Sequence, residues 1–412
     1  MTSRLHIIVT GLIAQHPWLG GVTWDYVQYP LGLQRLGHDV YYVEDSGEWP
    51  YTRDGGASGR DWVAPDCTPN VTHLAGVMER FGLGGKWAYR FPTRDRWYGL
   101  SDGARAELLR SADLLLNVSG TLDHPEAYGR GARLLYLDTD PVFTQVKMAR
   151  GDGAFRRRVD AHHAHFSFGE CLSDAVPSTG HRWRPTRQPI VLAEWRPAAP
   201  RRPVFTTVMS WTSYRPLQHA GRTYAQKDVE FRGFLELPGR VAPTALEVAL
   251  GDTTHVDWQE EVGPGVSGAA EGATGRPRTP RAILEQHGWR VVSAGEVCGG
   301  LDAYRAYVES SRGEWSVAKN GYVLGQPGWF SCRSACYLAA GRPVVVQDTG
   351  FGAVLPVGEG ILPFKTMAEA VAAVHEVEGN YPRHAKAARA IAKEYFDSDR
   401  ILARLIEEAC GT

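Results

Sequence analysis

Twice along this chain a short apolar run gives way to a loop, a helically spaced segment and another apolar run, and that order dictates a parallel sheet. Residues 5–13 read as a buried strand. Residues 24–36 then carry bulky side chains at Tyr26, Tyr29, Leu33 and Leu36, the spacing of one helix face. Gly37-His38 stops that helix, and residues 40–43 start the next strand. A unit of this kind joins parallel strands, whose carboxyl ends are where such sheets take ligands. Residues 114–118, 134–137 and 165–168 read as further strands, and 48–66 reads as loop.

The series then breaks and restarts. From Trp195 to Pro203 three prolines fall in nine residues, a stiff extended linker and the expected domain boundary. Beyond it, strands are expected at 205–209, 247–250, 289–292, 315–317 and 343–346, with helices over 367–378 and 384–410. Residues 263–279, rich in Gly, Ala and Pro, read as a mobile surface loop. The expected fold is α/β: two Rossmann-like doubly wound domains, 1–198 and 199–390, facing across a cleft that is the default site.

Composition narrows the function classes. The 412 residues hold 45 Lys plus Arg against 46 Asp plus Glu, a net charge of −1, which argues against a dedicated nucleic-acid binder. No apolar run approaches a membrane span, so no stable membrane insertion is expected. The start lacks a basic segment and a cleavage signature, so no signal peptide is expected. Six unevenly spaced Cys form neither a disulfide framework nor a zinc pattern, and the expected location is cytoplasmic.

Candidate chemistry gathers in four places. After the first strand comes Gln15-His16-Pro17-Trp18-Leu19-Gly20-Gly21-Val22-Thr23-Trp24. Its paired glycines let a ligand approach the backbone, the helix start favours an anion, and His16 is a candidate general base. It is not the dinucleotide fingerprint, so no nicotinamide cofactor is expected. The second place is Gly328-Trp329-Phe330-Ser331-Cys332-Arg333-Ser334, a loop entering a short helix that Gly341 ends. Helix-start amides, a hydroxyl and a guanidinium suit a diphosphate.

Next, Asp348-Thr349-Gly350 leaves the following strand, and Glu359 stands between glycines. Both suit sugar hydroxyls, with turn capping by Asp348 as the plain alternative. Lastly come two charged candidates. Lys227 is one of only seven Lys and suits the neutralisation of a leaving diphosphate. Asp140, in Asp138-Thr139-Asp140-Pro141, suits acceptor positioning or a turn better than a metal.

Together these segments resemble GT-B glycosyltransferases with a family-1/family-4-like C-terminal domain. Gly20-Gly21-Val22-Thr23-Trp24 and Gly32-Leu33-Gln34-Arg35-Leu36-Gly37-His38-Asp39-Val40 are similar to the start of that fold's acceptor domain. Gly328-Trp329-Phe330-Ser331 and Ala339-Ala340-Gly341-Arg342-Pro343-Val344-Val345 are similar to its donor loop, helix and strand. The resemblance implies a nucleoside-diphosphate sugar as donor and co-substrate, no other cofactor and no metal. It also implies a final helix, about 391–412, that returns to the first domain. On this reading His16, Asp140 and Lys227 are the catalytic candidates. Ser331, Cys332, Arg333, Ser334, Asp348, Thr349, Gly350 and Glu359 hold the donor, while Gly20, Gly21 and Trp24 form the acceptor-side loop.

The chain departs from the family at the two Glu that retaining family-4 enzymes carry, whose places hold Gly328 and Cys336. Retention and inversion both stay open, as do the nucleotide base, the acceptor (a small molecule such as a natural product) and a homodimer. Two other function classes also stay open: a sugar-nucleotide epimerase or phosphorylase, and a non-catalytic sugar-nucleotide binder.

Overall fold

The computed structural model describes residues 4–51, 66–129, 131–251 and 279–411. The loop expected at 263–279 lies almost wholly outside the described residues, as does most of that expected at 48–66. Two sheets dominate. The first has the order β4-β3-β2-β1-β5-β6-β7-β8. Its strands are His6–Thr10 (β1), Asp39–Glu44 (β2), Trp87–Phe91 (β3), Arg96–Gly99 (β4), Leu114–Val118 (β5), Arg133–Asp138 (β6), Ala164–Ser167 (β7) and Trp183–Pro185 (β8). Every pairing in it is parallel except β3 with β4.

The second sheet is wholly parallel, in the order β13-β12-β9-β14-β15-β16. It comprises Val204–Met209 (β9), Ala245–Leu250 (β12), Arg290–Ser293 (β13), Gly313–Ser316 (β14), Val344–Gln347 (β15) and Ile361–Phe364 (β16). A small hairpin, Leu217–His219 (β10) and Arg222–Tyr224 (β11), stands apart. The central strands are buried on both faces, as parallel strands covered by helices must be. In each sheet the strand order reverses once, at β1/β5 and at β9/β14, and crevices at such switch points are where doubly wound sheets bind.

The helices that place the site are Gly20–Arg35 (α1), Phe143–Ala149 (α2), Leu301–Ser310 (α3), Asn320–Gly325 (α4), Cys332–Ala339 (α5), Tyr381–Ile391 (α6) and Ser398–Cys410 (α7). The expected helix over 384–410 is two helices, not one. Between them Ile190 donates its N–H to Phe396 O and accepts from Ser398 N–H, so the chain leaves helical hydrogen bonding to pair with the first domain. Helix α7 then packs on α1, where a side chain at Gly32 would lie 2.5 Å from Leu402. This is the GT-B architecture: two facing doubly wound domains with a C-terminal helix crossing back.

Close backbone approach joins the domains at α1. Gly20 N–H donates to Cys298 O at 3.1 Å, and the indole of Trp24 donates to Leu301 O at 2.9 Å. Trp24 is fully buried and tilted against Trp195. A Cβ at Gly20 would sit 2.2 Å from the Gly300 carbonyl oxygen, where only backbone can yield. Gly20→Ala is therefore expected to lower unfolding stability by about 2 kcal/mol despite alanine's better helix propensity. Urea unfolding measures it, and an unchanged midpoint would show that the two domains do not bear on each other there.

Candidate functional site

The carboxyl ends of the two sheets face one another, and the first domain supplies two loops to the crevice between them. The loop after β1 is tied down by Glu44, whose carboxylate accepts the N–H groups of Ala14 and Gln15 at 2.8 and 2.7 Å and the hydroxyl of Tyr42. Burial pushes Glu44 up to about 7 against those hydrogen bonds. The loop ends at His16, which stacks on Tyr51 at 5.0 Å and meets Trp18 edge-on. Burial pushes His16 down to about 4, so its imidazole is neutral and a weak base at neutral pH.

The loop after β6 is organised by Asp138. Its buried carboxylate accepts from Thr144, Gln145, Ser167 and the N–H of Asp140, the turn-capping role. Two residues beyond Asp140 the chain passes through Val142 at φ 72, ψ −56, a γ-turn of the rarer strained kind and unusual for a β-branched residue. That turn sends Val142 and Phe143 across to the second domain. Side chains on Gly325 and Gly321 of α4 would lie 2.6 and 2.5 Å from them. Here too glycine is a docking surface.

Asp140 itself bridges the domains. Its carboxylate accepts from Lys319 at 2.8 Å and from the hydroxyls of Tyr214 and Tyr322. Burial raises its pKa, but the Lys319 ammonium and these hydrogen bonds outweigh that and hold it below the ordinary carboxylate range. A carboxylate with three donors and a low pKa is an electrostatic anchor for Lys319, so the role of base expected for Asp140 is corrected.

In the second domain the switch point is occupied by Arg333. Its guanidinium donates to Glu314 at 2.6 Å, to Val208 O at 2.8 Å and to Ser316 at 2.9 Å, bridging β9 and β14. The Glu314 side chain is fully buried, so Arg333 is its counter-ion rather than a fork held open for a diphosphate. Ser334 is also corrected: it is buried on the inner face of α5, away from the cleft. Ser331 and Cys332 remain partly accessible where α5 begins, and Ser331 caps α5 without using its hydroxyl. Burial holds the Cys332 thiol well above its ordinary pKa.

The donor-side loop after β15 is a brace. Asp348 accepts from Gly350 N–H at 2.9 Å and pairs with Lys365 at 3.1 Å, Thr349 donates to Trp329 O, and Gly328 N–H donates to Thr349 O. Gly350, at φ 88, would bring a Cβ to 2.9 Å from Gln326 O. These residues shape the 326–329 loop. Glu359 is exposed and faces Arg383 at 3.8 Å, outside the cleft. Gly20 and Trp24, expected with Gly21 as an acceptor-side loop, are buried against the second domain, and a Cβ at the half-buried Gly21 would meet Tyr304 at 3.0 Å.

Lys227 opens a short helix that follows the β10–β11 hairpin and is half-buried. It makes no hydrogen bond or ion pair among the described residues. Burial lowers its pKa well below the lysine range, and the neighbouring Arg333 and Lys319 lower it further. Two residues escaped the sequence reading. Lys319 follows β14, and its only signal is the scarcity of lysine. Asp25, the one carboxylate of α1, stands among aromatic residues, and that misplaced charge is a legible signal.

Burial pushes Asp25 up to about 7, against the opposing pull of Arg333. No three His, Cys, Asp or Glu come together as a metal centre among the described residues, and no described helix is long and apolar enough to cross a membrane.

The chain matches no family model and no curated protein. Its fold is shared with solved glycosyltransferases. An α-glucosyltransferase in complex with UDP and a 13-mer DNA aligns over 98% of each chain at TM-score 0.55 and 12% identity. HepE from Anabaena, in complex with UDP-glucose, aligns over 98% of this chain and 99% of its own at 0.54 and 10%. Sucrose-phosphate synthase from Thermosynechococcus elongatus aligns over 98% of each at 0.51 and 11%.

The Arg333–Glu314 pair yields a test that separates structure from binding. Arg333→Met strands a buried carboxylate and is expected to destabilise the ligand-free protein by about 3–5 kcal/mol. Adding Glu314→Gln should recover much of that loss in chemical denaturation. Full stability of the single variant would return Arg333 to the ligand.

Proposed function

We propose that this protein transfers a sugar from a nucleoside-diphosphate sugar to a hydroxyl of a small-molecule acceptor. The observation that carries the reading is Lys227: a half-buried lysine with no hydrogen bond or ion pair among the described residues, with Arg333 and Lys319 near it and only Glu314, itself paired with Arg333, opposing them. A desolvated, uncompensated cation is a site for an anion. It stands near the start of α5, whose first amides and the free Ser331 hydroxyl suit phosphate oxygens. UDP is the nucleotide of first choice, because the α-glucosyltransferase and HepE that share the fold were solved with it.

In this reading residues 199–390 hold the donor, while residues 1–198 with the C-terminal helix hold the acceptor. As the diphosphate leaves, Lys227 neutralises the charge that grows on it, in a cleft closed to competing water. Lys319, held by Asp140, adds positive potential near it. The leaving group is then stabilised by side chains and helix amides, without a metal. The balanced net charge favours a small acceptor, such as a natural product, over a nucleic acid.

Titration calorimetry with UDP tests the assignment. Lys227→Met should weaken UDP binding at least tenfold, a loss of about 1.4 kcal/mol or more. Because Lys227 is strained toward its neutral form in the empty cleft, UDP binding at alkaline pH should take up protons, visible as a buffer-dependent heat. Equal affinity of the variant and the parent would remove the diphosphate from this part of the cleft.

A further inference from the structure

Glycosyl transfer to a hydroxyl needs a fate for the hydroxyl proton, and the two bases expected from the sequence are poorly placed to accept it. His16 is stacked on Tyr51 and held neutral as a weak base, and Asp140 is committed to three donors. Asp25 differs from both. It lies on α1, in the first domain, within electrostatic reach of Cys332 and Arg333 at the start of α5. Only its main-chain carbonyl is engaged, by Gln188, while its carboxylate has no hydrogen-bond or ion-pair partner among the described residues. The residue is still partly accessible.

Building on the reading of the cleft as a sugar-nucleotide site, we propose that Asp25 is the general base that takes the acceptor's proton, and that transfer inverts the anomeric centre. The acceptor oxygen forms its bond to C1 of the donor sugar from the Asp25 side. The bond from C1 to the β-phosphate oxygen breaks, and its electron pair leaves on the nucleoside diphosphate beside Lys227. The hydroxyl proton moves to Asp25 and from there to solvent. A single displacement of this kind needs no covalent intermediate and no further reactant.

The surroundings tune Asp25 for this task. Tyr26 and Tyr29 face it from its own helix, Tyr304 from α3, and Cys332, Cys336 and Arg333 from α5. Burial holds the thiols and phenols protonated, so Arg333 is the one charged group that faces Asp25 and opposes the effect of burial on it. A carboxylate balanced in this way near 7 is half ionised at neutral pH and a stronger base than an ordinary aspartate. The sign follows: the ionised form is the active one, so activity rises with pH and is lost as pH falls below about 7.

The experiment is UDP release from UDP-glucose with water as acceptor, alongside UDP titration calorimetry. In the parent protein kcat/KM should fall tenfold per pH unit below about 7. Asp25→Asn should lose about a hundredfold or more in kcat and show no such limb, while its UDP affinity stays within about threefold. Asp25→Glu should restore part of the rate together with the limb. Proton NMR of the first turnovers should show β-glucose from the α-linked donor.

Formation of α-glucose overturns the proposal, as does an unchanged rate or pH limb in Asp25→Asn, or UDP binding without Asp25-dependent release. A parent protein that does not bind UDP overturns the reading of the site itself.

Discussion

The two domains meet backbone to backbone, and the chemistry of the cleft depends on that approach. At α1 a helix-start N–H reaches the carbonyl of Cys298 because Gly20 has no side chain. At α4 the missing side chains of Gly321 and Gly325 make a flat face that receives Val142 and Phe143. Between these two seams lie Asp25, Lys227, Lys319 and Arg333. Removing water from that space is what pushes Asp25 up and Lys227 down, because each charged form loses hydration that no partner fully replaces. If the seams opened, both groups would return toward ordinary behaviour. Domain closure and chemical tuning are in this sense one property.

Charge is distributed unevenly between paired and unpaired groups, and the division separates scaffold from site. Arg333 with Glu314 and Lys319 with Asp140 are compensated, and each pair fixes geometry: the first across β9 and β14, the second across the two domains. Asp138 spends all its accepting capacity on the loop that aims Asp140. Lys227 and Asp25 are left without partners, an arrangement that costs stability and that a folded chain retains when a ligand or a reaction uses it. The strained γ-turn at Val142 has the same character, since it holds the first-domain loop against α4.

Much of the fold was legible because parallel strands and their helices leave strong periodic traces. The strand at 114–118 was located to the residue, and those at 134–137 and 343–346 to within one or two. The strands β3, β4, β8 and β16 were missed. Of these, β4 and β8 are short and partly exposed, so they carry no continuous apolar run. The C-terminal break also escaped, because nothing local at Phe396–Ser398 announces a partner some two hundred residues away at Ile190. Lys227 was singled out by its rarity, as one of seven lysines. Arg333, Ser334, Asp348, Thr349, Gly350 and Glu359 carried the right residue types but turn out to brace loops, fill the helix interior or face solvent.

The sequence by itself determined the alternation of strands and helices and so the doubly wound α/β fold class, since these follow from local periodicity and turn chemistry. Tertiary structure alone decided which polar groups are partnered and which glycines meet backbone instead of ligand. Hydrogen bonding and desolvation depend on what stands opposite a residue, and for Asp25, Gly20 and Asp140 that neighbour comes from the other half of the chain. Sequence spacing cannot encode that distance.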